Sequence, residues 1–560
     1  MRDQFSIELF DSKNGVKTIK VNNYFLHSKY NPLLEAKQFA QKNYQPGCIQ
    51  IIFGYGKGYI VDEIRKLANS NEKILVIDPI FEGEISCGGF ELIAYENSHD
   101  TLYKQLVNSI KITDNINLIV SPNYDKIIPN EYKGFLKALN EKLHIDQVTI
   151  NTFKGFQFIW HRNYINNIKS AIKDYSVKNL HNKYTCPIVI ASGGPSLNKQ
   201  LRLLKEIKNN IILIAAGSTI NSLLMAEIEP DYVVSIDGSI QNYGHFKELT
   251  LNKSKLIYSM TNHPNIREIF SDEAYFFLNA SESYLKNHLN SIVKKEVVTH
   301  SGGGSVANFA FSIALHMTTG PIAFIGQDLA YTDNKTHADN NKYLNIVDEG
   351  FKSRKNLIEA TGYYGTPVLT DYPFLMMKQA FEKIKNKLAP DRKIYNCTEG
   401  GLLIEQFSNL SFERFCEKYA IKTVDNVKET EFIEENAADR EQAIKKLQNE
   451  NSLYNRLIKL LKENINYLSK NIFEDKFSQE ILKKLEKNDK MVDKLIKQTS
   501  LTVAIQYINI EVLKYFQVKK GETSKEAYKR VYTQSDTLYK SMLKAVEEAE
   551  ENINELLKSI

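Results

Sequence analysis

At 560 residues the chain has room for two or three domains, each large enough to bury its own core. Its 72 basic and 67 acidic side chains leave a net charge of only +5, and no dense basic patch interleaved with aromatics marks a nucleic-acid groove. The five cysteines (Cys48, Cys87, Cys186, Cys397 and Cys416) form no Cys-x-x-Cys pair, so neither a zinc site nor a disulfide framework is expected, and a reducing cytoplasm fits.

In chain order, residues 1–150 read as a Rossmann-like domain. A buried strand at Cys48–Phe53 enters the turn Gly54-Tyr55-Gly56-Lys57-Gly58-Tyr59; a helix then runs through Leu67, and a second strand, Lys73–Ile77, ends on Asp78. A glycine turn followed by an acid about 20 residues on has the spacing that grips the ribose of a dinucleotide or of S-adenosylmethionine. Such turns also occur in α/β domains that hold no ligand, and that reading is preferred here. Ile116–Val120 reads as a further strand. Residues 151–182 read as a helical connector, with the aromatic run Phe153, Phe156, Phe158 and Trp160 taken as packing core rather than a sugar platform.

Residues 183–424 alternate strands and helices, which predicts a doubly wound parallel sheet with helices on both faces. The strand Ile188–Ile190 leads into Ser192-Gly193-Gly194-Pro195-Ser196, with a helix beginning at Pro195 or Ser196. Further strands are expected at Ile211–Ala215, Tyr232–Ile236, Leu256–Met260 and Pro321–Ile325. The polar residues Ser192, Ser218, Asp237, Asn262 and Gln327 all fall at or just past strand ends. Open α/β sheets bind ligands beyond their carboxyl edges, so one shared cleft is expected there. A second loop, Ser301-Gly302-Gly303-Gly304-Ser305, opens a helix with Val306, Phe309, Ala310, Ile313 and Ala314 facing inward.

Residues 425–560 read as a helical bundle: helices over about 439–469, 477–518 and 524–558, with a break at 517–523 and Thr523 as N-cap. Its charged outer face is a solvated surface or, on the sharper reading, a docking face for a protein acceptor. No apolar run reaches the roughly 20 residues that span a bilayer, and Met1–Phe5 begins no signal-peptide stretch.

The segments Ala191–Leu197, Ala215–Ile220, Asp231–Phe246, Ser301–Tyr331 and Asn396–Leu402 together resemble the motility accessory factor (Maf) flagellin glycosyltransferases. More distantly they are similar to bacterial sialyltransferases that use CMP-sialic acid and to archaeal pterin diphosphokinases. The resemblance implies transfer of a nonulosonic or related ulosonic acid from its CMP-activated form to Ser or Thr of flagellin, displacing CMP with inversion. No cofactor beyond the donor is implied, and magnesium is left open. In the sialyltransferases an asparagine stands where this chain has Gly193, so the nucleotide contact is arranged differently here.

Such a transfer needs the nucleotide held, the leaving charge stabilised and the acceptor hydroxyl deprotonated. The candidates to hold the nucleotide sugar are Ser192, Gly193, Gly194, Pro195, Ser196, Gly217, Ser218, Ser301, Gly302, Gly303, Gly304, Ser305, Asn308, Gln327 and Asp328. Asp328 is read as a loop anchor rather than a reactive group. His337, in the polar loop after the strand at 321–325, and Asp237 are the catalytic candidates. An exposed loop histidine and an Asx turn are their plainer alternatives. Tyr363–Gly365, Thr370–Asp371 and Thr398–Gly401 read as rim loops. No Asp-x-Asp pair dictates a metal, so metal-independent transfer is favoured. The competing functions are a magnesium-dependent pterin diphosphokinase, a non-catalytic flagellin assembly factor and, more distantly, a methyltransferase built on Gly54–Gly58.

Overall fold

The computed structural model describes residues 5–81, 85, 88–95, 98–271, 273–355, 357–424, 437–471, 473 and 475–560. Cys87 and the stretch 425–436, onto which the expected boundary at 424 opens, lie outside them. The chain divides into two units. The first comprises Met1–Gln157, Leu457–Lys494 and Thr502–Ala545; the second comprises Phe158–Arg456, Leu495–Leu501 and Val546–Ile560.

In the first unit, β1 (Ile7–Asp11), β2 (Lys17–Val21) and β3 (Tyr24–Phe25) form an antiparallel meander. Four parallel strands follow: β4 (Ile49–Phe53), β5 (Ile74–Ile77), β6 (Glu91–Leu92) and β7 (Ile116–Val120), ordered β6-β5-β4-β7. β4 and β5 are buried along their whole length, as their mostly apolar runs require, and the buried amide of Gln50 in β4 is satisfied by Gln45 O and Asn117 Nδ2.

The second unit is built on β8 (Tyr175–Ser176), β9 (Ile188–Ala191), β10 (Ile212–Ala216), β11 (Tyr232–Ser235), β12 (Lys255–Ser259), β13 (Ala274–Asn279), β14 (Thr299–His300) and β15 (Ile322–Ile325). A hairpin of β16 (Leu357–Thr361) and β17 (Pro367–Asp371) comes next, then β18 (Ile394–Asn396) and β19 (Ser408–Asn409). The large sheet runs β14-β13-β12-β11-β10-β9-β15-β18-β19, with β8 beside β13, and all its pairings are parallel. From β9 the chain steps outward to β14, then returns to lay β15 on the other side of β9. The strand order therefore reverses between β9 and β15, and a crevice opens at such a reversal.

The helix Val306–Met317 departs from the one-faced pattern expected of it. Ala307 through Ala314 are all buried, and only Val306, Leu315 and His316 keep partial exposure. It lies between the sheet and the helix Tyr372–Leu388, so both faces are covered: Phe311 meets Phe324 at 5.3 Å and Phe381 at 6.0 Å between ring centroids.

The C-terminal helices are Ala437–Ser469, Gln479–Ile496, Thr502–Tyr515 and Ser524–Ser559, shared between the two units. Thr523 caps the last of them reciprocally. The Glu526 N–H donates to Thr523 Oγ1 at 3.3 Å, and the Thr523 N–H donates to Glu526 Oε2 at 2.8 Å. Among the described residues no helix is long and apolar enough to cross a membrane.

Candidate functional site

At the reversal between β9 and β15, beyond the carboxyl ends of β9, β10, β11 and β15, lies a cavity of about 250 Å³. Of the residues expected at the site, Ser192, Gly193, Gly194, Gly217, Ser218, Asp237, Ser305, Gln327, Asp328 and His337 line it. Pro195, Ser196, Ser301, Gly302, Gly303, Gly304 and Asn308 do not. Asn262, expected in the same cleft, is buried beneath it, where its Oδ1 accepts from Ser235 Oγ at 2.8 Å.

The first glycine loop reaches the cleft with its backbone donors already used. The Ser192 N–H donates to Ile325 O, Gly194 to Gly326 O, Ser196 to Asp328 Oδ2 and Leu197 to Gly194 O. Pro195 has no N–H, so from Ser192 to Leu197 only the Gly193 N–H lacks a bond within the described chain. Close packing is the reason for the glycines: a Cβ on Gly194 would stand 2.1 Å from Asp328 Oδ2. Asp328 clamps the loop, accepting from Ser196 Oγ at 2.7 Å while its own carbonyl accepts the Leu402 N–H at 2.7 Å. Burial pushes its carboxyl upward against the pull of the Ser196 and Thr332 donors. Gln327 accepts from Ser192 Oγ at 2.6 Å through Oε1, and its backbone N–H donates to Thr398 Oγ1 at 3.1 Å. Its amide NH₂ remains a donor beside the cavity.

The second loop has the opposite character. No backbone N–H from Ser301 to Ser305 is bonded within the described chain, yet only Ser305 lines the cavity. Gly302 and Gly303 are there for packing, since a Cβ would come within 2.1 Å of the Phe309 ring and 1.9 Å of Ala380 Cβ respectively. Asn308 is buried and donates to Met377 O at 3.1 Å. The cleft therefore receives the end of the twelve-residue helix Val306–Met317, through Ser305, Val306 and Ala307. Ser305 Oγ caps the Ala307 N–H at 3.2 Å, leaving the positive end of the helix dipole facing the cavity.

Asp237 and His337 line the same cavity, with His245 packed on Tyr343 and His263 next to Asp237. Asp237 is exposed in the cleft; its Oδ1 accepts the Ser239 N–H at 2.8 Å, so the Asx turn is formed while Oδ2 stays free. His337, His245 and His263 each have a buried Nδ1 without a hydrogen bond. Burial lowers the pKa of all three, and the Asp237 charge partly offsets this for His245 and His263. His245 and His337 flank Tyr343, at 4.1 and 5.8 Å between ring centroids, and His263 stacks on Tyr243 at 4.9 Å.

Several lining residues are absent from the sequence-based set, among them Thr219, Asn242, Thr336, Tyr343, Phe374 and Met377. Asn242 had a signal: it is the third residue after the N-cap Ser239, and its Nδ2 donates to Asp237 O at 2.8 Å. Asn341 had none. Its Nδ2 lies 3.0 Å from where a Cβ on Gly193 would be, so an amide from another loop occupies the space beside that glycine. The helix Pro129–Lys173 supplies two more buried amides, one turn apart. Asn163 Nδ2 donates to Gly238 O and Thr261 O at 3.0 and 3.2 Å; Asn167 Nδ2 donates to Met260 O and Asn262 O at 2.9 and 2.8 Å. They pin the loops after β11 and β12 and so hold Asp237 in place.

Of the expected rim loops, Tyr363, Tyr364, Glu399, Gly400 and Gly401 line a second cavity. Thr370 and Asp371 are buried instead: Thr370 Oγ1 donates to Leu329 O at 2.8 Å, and Asp371 accepts from Tyr331 Oη at 2.7 Å. Among the described residues no group of three or more His, Cys, Asp or Glu side chains is arranged to hold a metal.

The N-terminal glycine turn sits at the equivalent reversal, between β4 and β7, but the chain fills it. Asp78 Oδ2 accepts the Tyr55 and Gly56 N–H groups and the Tyr124 hydroxyl; Oδ1 accepts the Ile80 and Phe81 N–H groups. The Lys57 N–H donates to His27 Nε2 at 3.0 Å. Burial and the nearby Lys57 charge push that imidazole down to about 4, so it stays neutral and able to accept. The Asp78 oxygens that the sequence pattern assigns to a ribose are thus taken up by the protein's own donors.

Comparison with known proteins agrees with this architecture. Residues 162–334 match the family model described as 6-hydroxymethylpterin diphosphokinase MptE-like. The solved structure of the Maf glycosyltransferase from Magnetospirillum magneticum AMB-1 is similar over 99% of this chain and 90% of that one, at 14% identity and a TM-score of 0.56. The chain therefore has the fold of that transferase, with an MptE-like domain at its centre, as the sequence resemblance implied. No curated protein matches the chain.

Proposed function

We propose that this protein is a cytoplasmic glycosyltransferase that moves a nonulosonic or related ulosonic acid from its CMP-activated form to Ser or Thr hydroxyls of flagellin. The observation carrying the proposal is the crevice between β9 and β15, which a helix N-terminus, an imidazole and a free carboxylate oxygen line together. The likeness of the whole chain to a Maf glycosyltransferase supports it.

In this reading the donor phosphate lies against the Val306 end of the helix, near the Gly193 N–H and the Gln327 amide. His337, kept neutral by burial, takes the acceptor hydroxyl proton. The acceptor oxygen bonds to the anomeric carbon as the bond from that carbon to the phosphate oxygen breaks, and CMP leaves carrying the electron pair. One in-line displacement inverts the centre. Asp237 Oδ2 anchors a ribose or sugar hydroxyl. Metal-independent transfer fits this arrangement, because the helix end and the protein donors meet the leaving charge.

The match over residues 162–334 favours a second reading, a magnesium-dependent diphosphokinase acting on a hydroxymethyl pterin. Melting temperatures with CMP, CDP, UMP, ATP and S-adenosylmethionine, with and without magnesium, separate the two. Ligand at about 100 times its Kd adds roughly 2.7 kcal/mol, a readable shift. A CMP-selective shift that survives EDTA is expected. A shift only with ATP and magnesium would transfer the assignment to the diphosphokinase, and no shift with any nucleotide would bring forward a non-catalytic flagellin assembly factor.

A further inference from the structure

Beside the cleft, on the far side of the Asp328–Tyr331 segment, lies a second cavity of about 300 Å³. The function proposed above makes no use of it. The loop Thr332–His337 joins the two spaces: Thr332 and Asp333 line the second cavity, whereas Thr336 and His337 line the first. Tyr364 is 69% exposed and set edge-on to Tyr363, with ring centroids 4.8 Å apart at 72°. Most of its aromatic surface is therefore open to solvent. Its hydroxyl and Lys199 Nζ both reach the Glu399 carbonyl, at 3.3 and 3.4 Å, which fixes the ring over the cavity.

The charged lining sets one cation, Lys199, against two carboxylates. Glu399 Oε2 accepts the Phe412 N–H at 3.1 Å, whereas the Asp333 carboxylate makes no hydrogen bond within the described chain. Asp333 and Glu399 are both non-glycine residues held at positive φ, +53° and +55°.

We propose that this cavity is a binding subsite for a neutral pyranose, seated with its C–H face on Tyr364 and its hydroxyls on Asp333 and Lys199. A phosphorylated ligand would meet two carboxylates against one ammonium there, whereas a neutral sugar ring matches an aromatic face rimmed by a donor and an acceptor. The subsite goes beyond the transfer reading, because it is measured on the resting protein without donor or turnover.

The test is saturation-transfer NMR on the full chain with methyl β-glucopyranoside, methyl β-galactopyranoside and N-acetylglucosamine as probes. Transfer to ring C–H protons of at least one probe is expected, unaffected by CMP. It should fall by about fivefold in Tyr364→Ala and persist in Tyr364→Phe, since the stacked ring and not the hydroxyl holds the sugar. Absence of transfer from all three probes would overturn the proposal. So would equal transfer in Tyr364→Ala, or displacement by CMP, which would put the sugar in the nucleotide cleft.

Discussion

His337 and Asp237 both line the cleft, but different variants separate what each contributes. His337→Gln keeps a polar side chain in the loop and removes the base; kcat is expected to fall by roughly 10²- to 10⁴-fold with the melting temperature little changed. Because burial lowers the His337 pKa below the ordinary histidine value, the neutral form dominates at pH 7. The acidic limb of kcat should therefore lie below about pH 6.5 and disappear in the variant. Asp237→Asn retains the oxygen that accepts the Ser239 N–H and removes only the charge. A loss of roughly 10- to 100-fold in kcat/KM with an unchanged fold is expected, the size of one hydrogen bond to a charged group. If transfer rates in Asp237→Asn match the native protein, the carboxylate serves the turn alone. Asp237 is legible in sequence because a polar residue just past a buried strand stands out. Asn341 and Tyr343 were not legible, since nothing local distinguishes a loop asparagine near a ligand from one in solvent.

At the scale of elements, the two glycine loops look alike as strings and differ in what they do. Ser192–Ser196 presents side chains and a single unbonded N–H, while Ser301–Ser305 keeps its N–H groups unbonded and delivers a helix end. A sequence reveals where glycine is needed but not whether the need is for a ligand, for Phe309 or for Ala380. Gly303→Ala tests this directly. Overpacking against Ala380 should destabilise the protein by about 1–3 kcal/mol, read as a lowered denaturation midpoint, and should weaken CMP binding only as far as the helix end shifts. A variant as stable as the native chain would mean that the loop yields freely. The helix Pro129–Lys173 teaches the same lesson. Its aromatic run was read as packing, but the residues that organise the cleft are the asparagines at 163 and 167, whose value depends on carbonyls about a hundred residues away.

Across the whole molecule the same construction occurs twice, a parallel sheet with a reversal in strand order and a glycine turn at it. In the second unit the reversal is open. In the first unit it is filled by Tyr124, whose hydroxyl takes the Gly56 N–H at 2.9 Å and donates to Asp78. S-Adenosylmethionine is accordingly expected to leave the native melting temperature unchanged. Tyr124 is fully buried, with Phe53 edge-on at 6.3 Å. Truncation to Ala would remove a ring and two hydrogen bonds and cost about 3–5 kcal/mol, on the scale of other large aromatic deletions. The hollow left behind would have the outline of one phenol, apolar around its sides and polar at its tip. Added phenol should therefore restore much of the lost stability to Tyr124→Ala while leaving the native protein untouched, a chemical rescue in which a free small molecule takes the seat of a side chain.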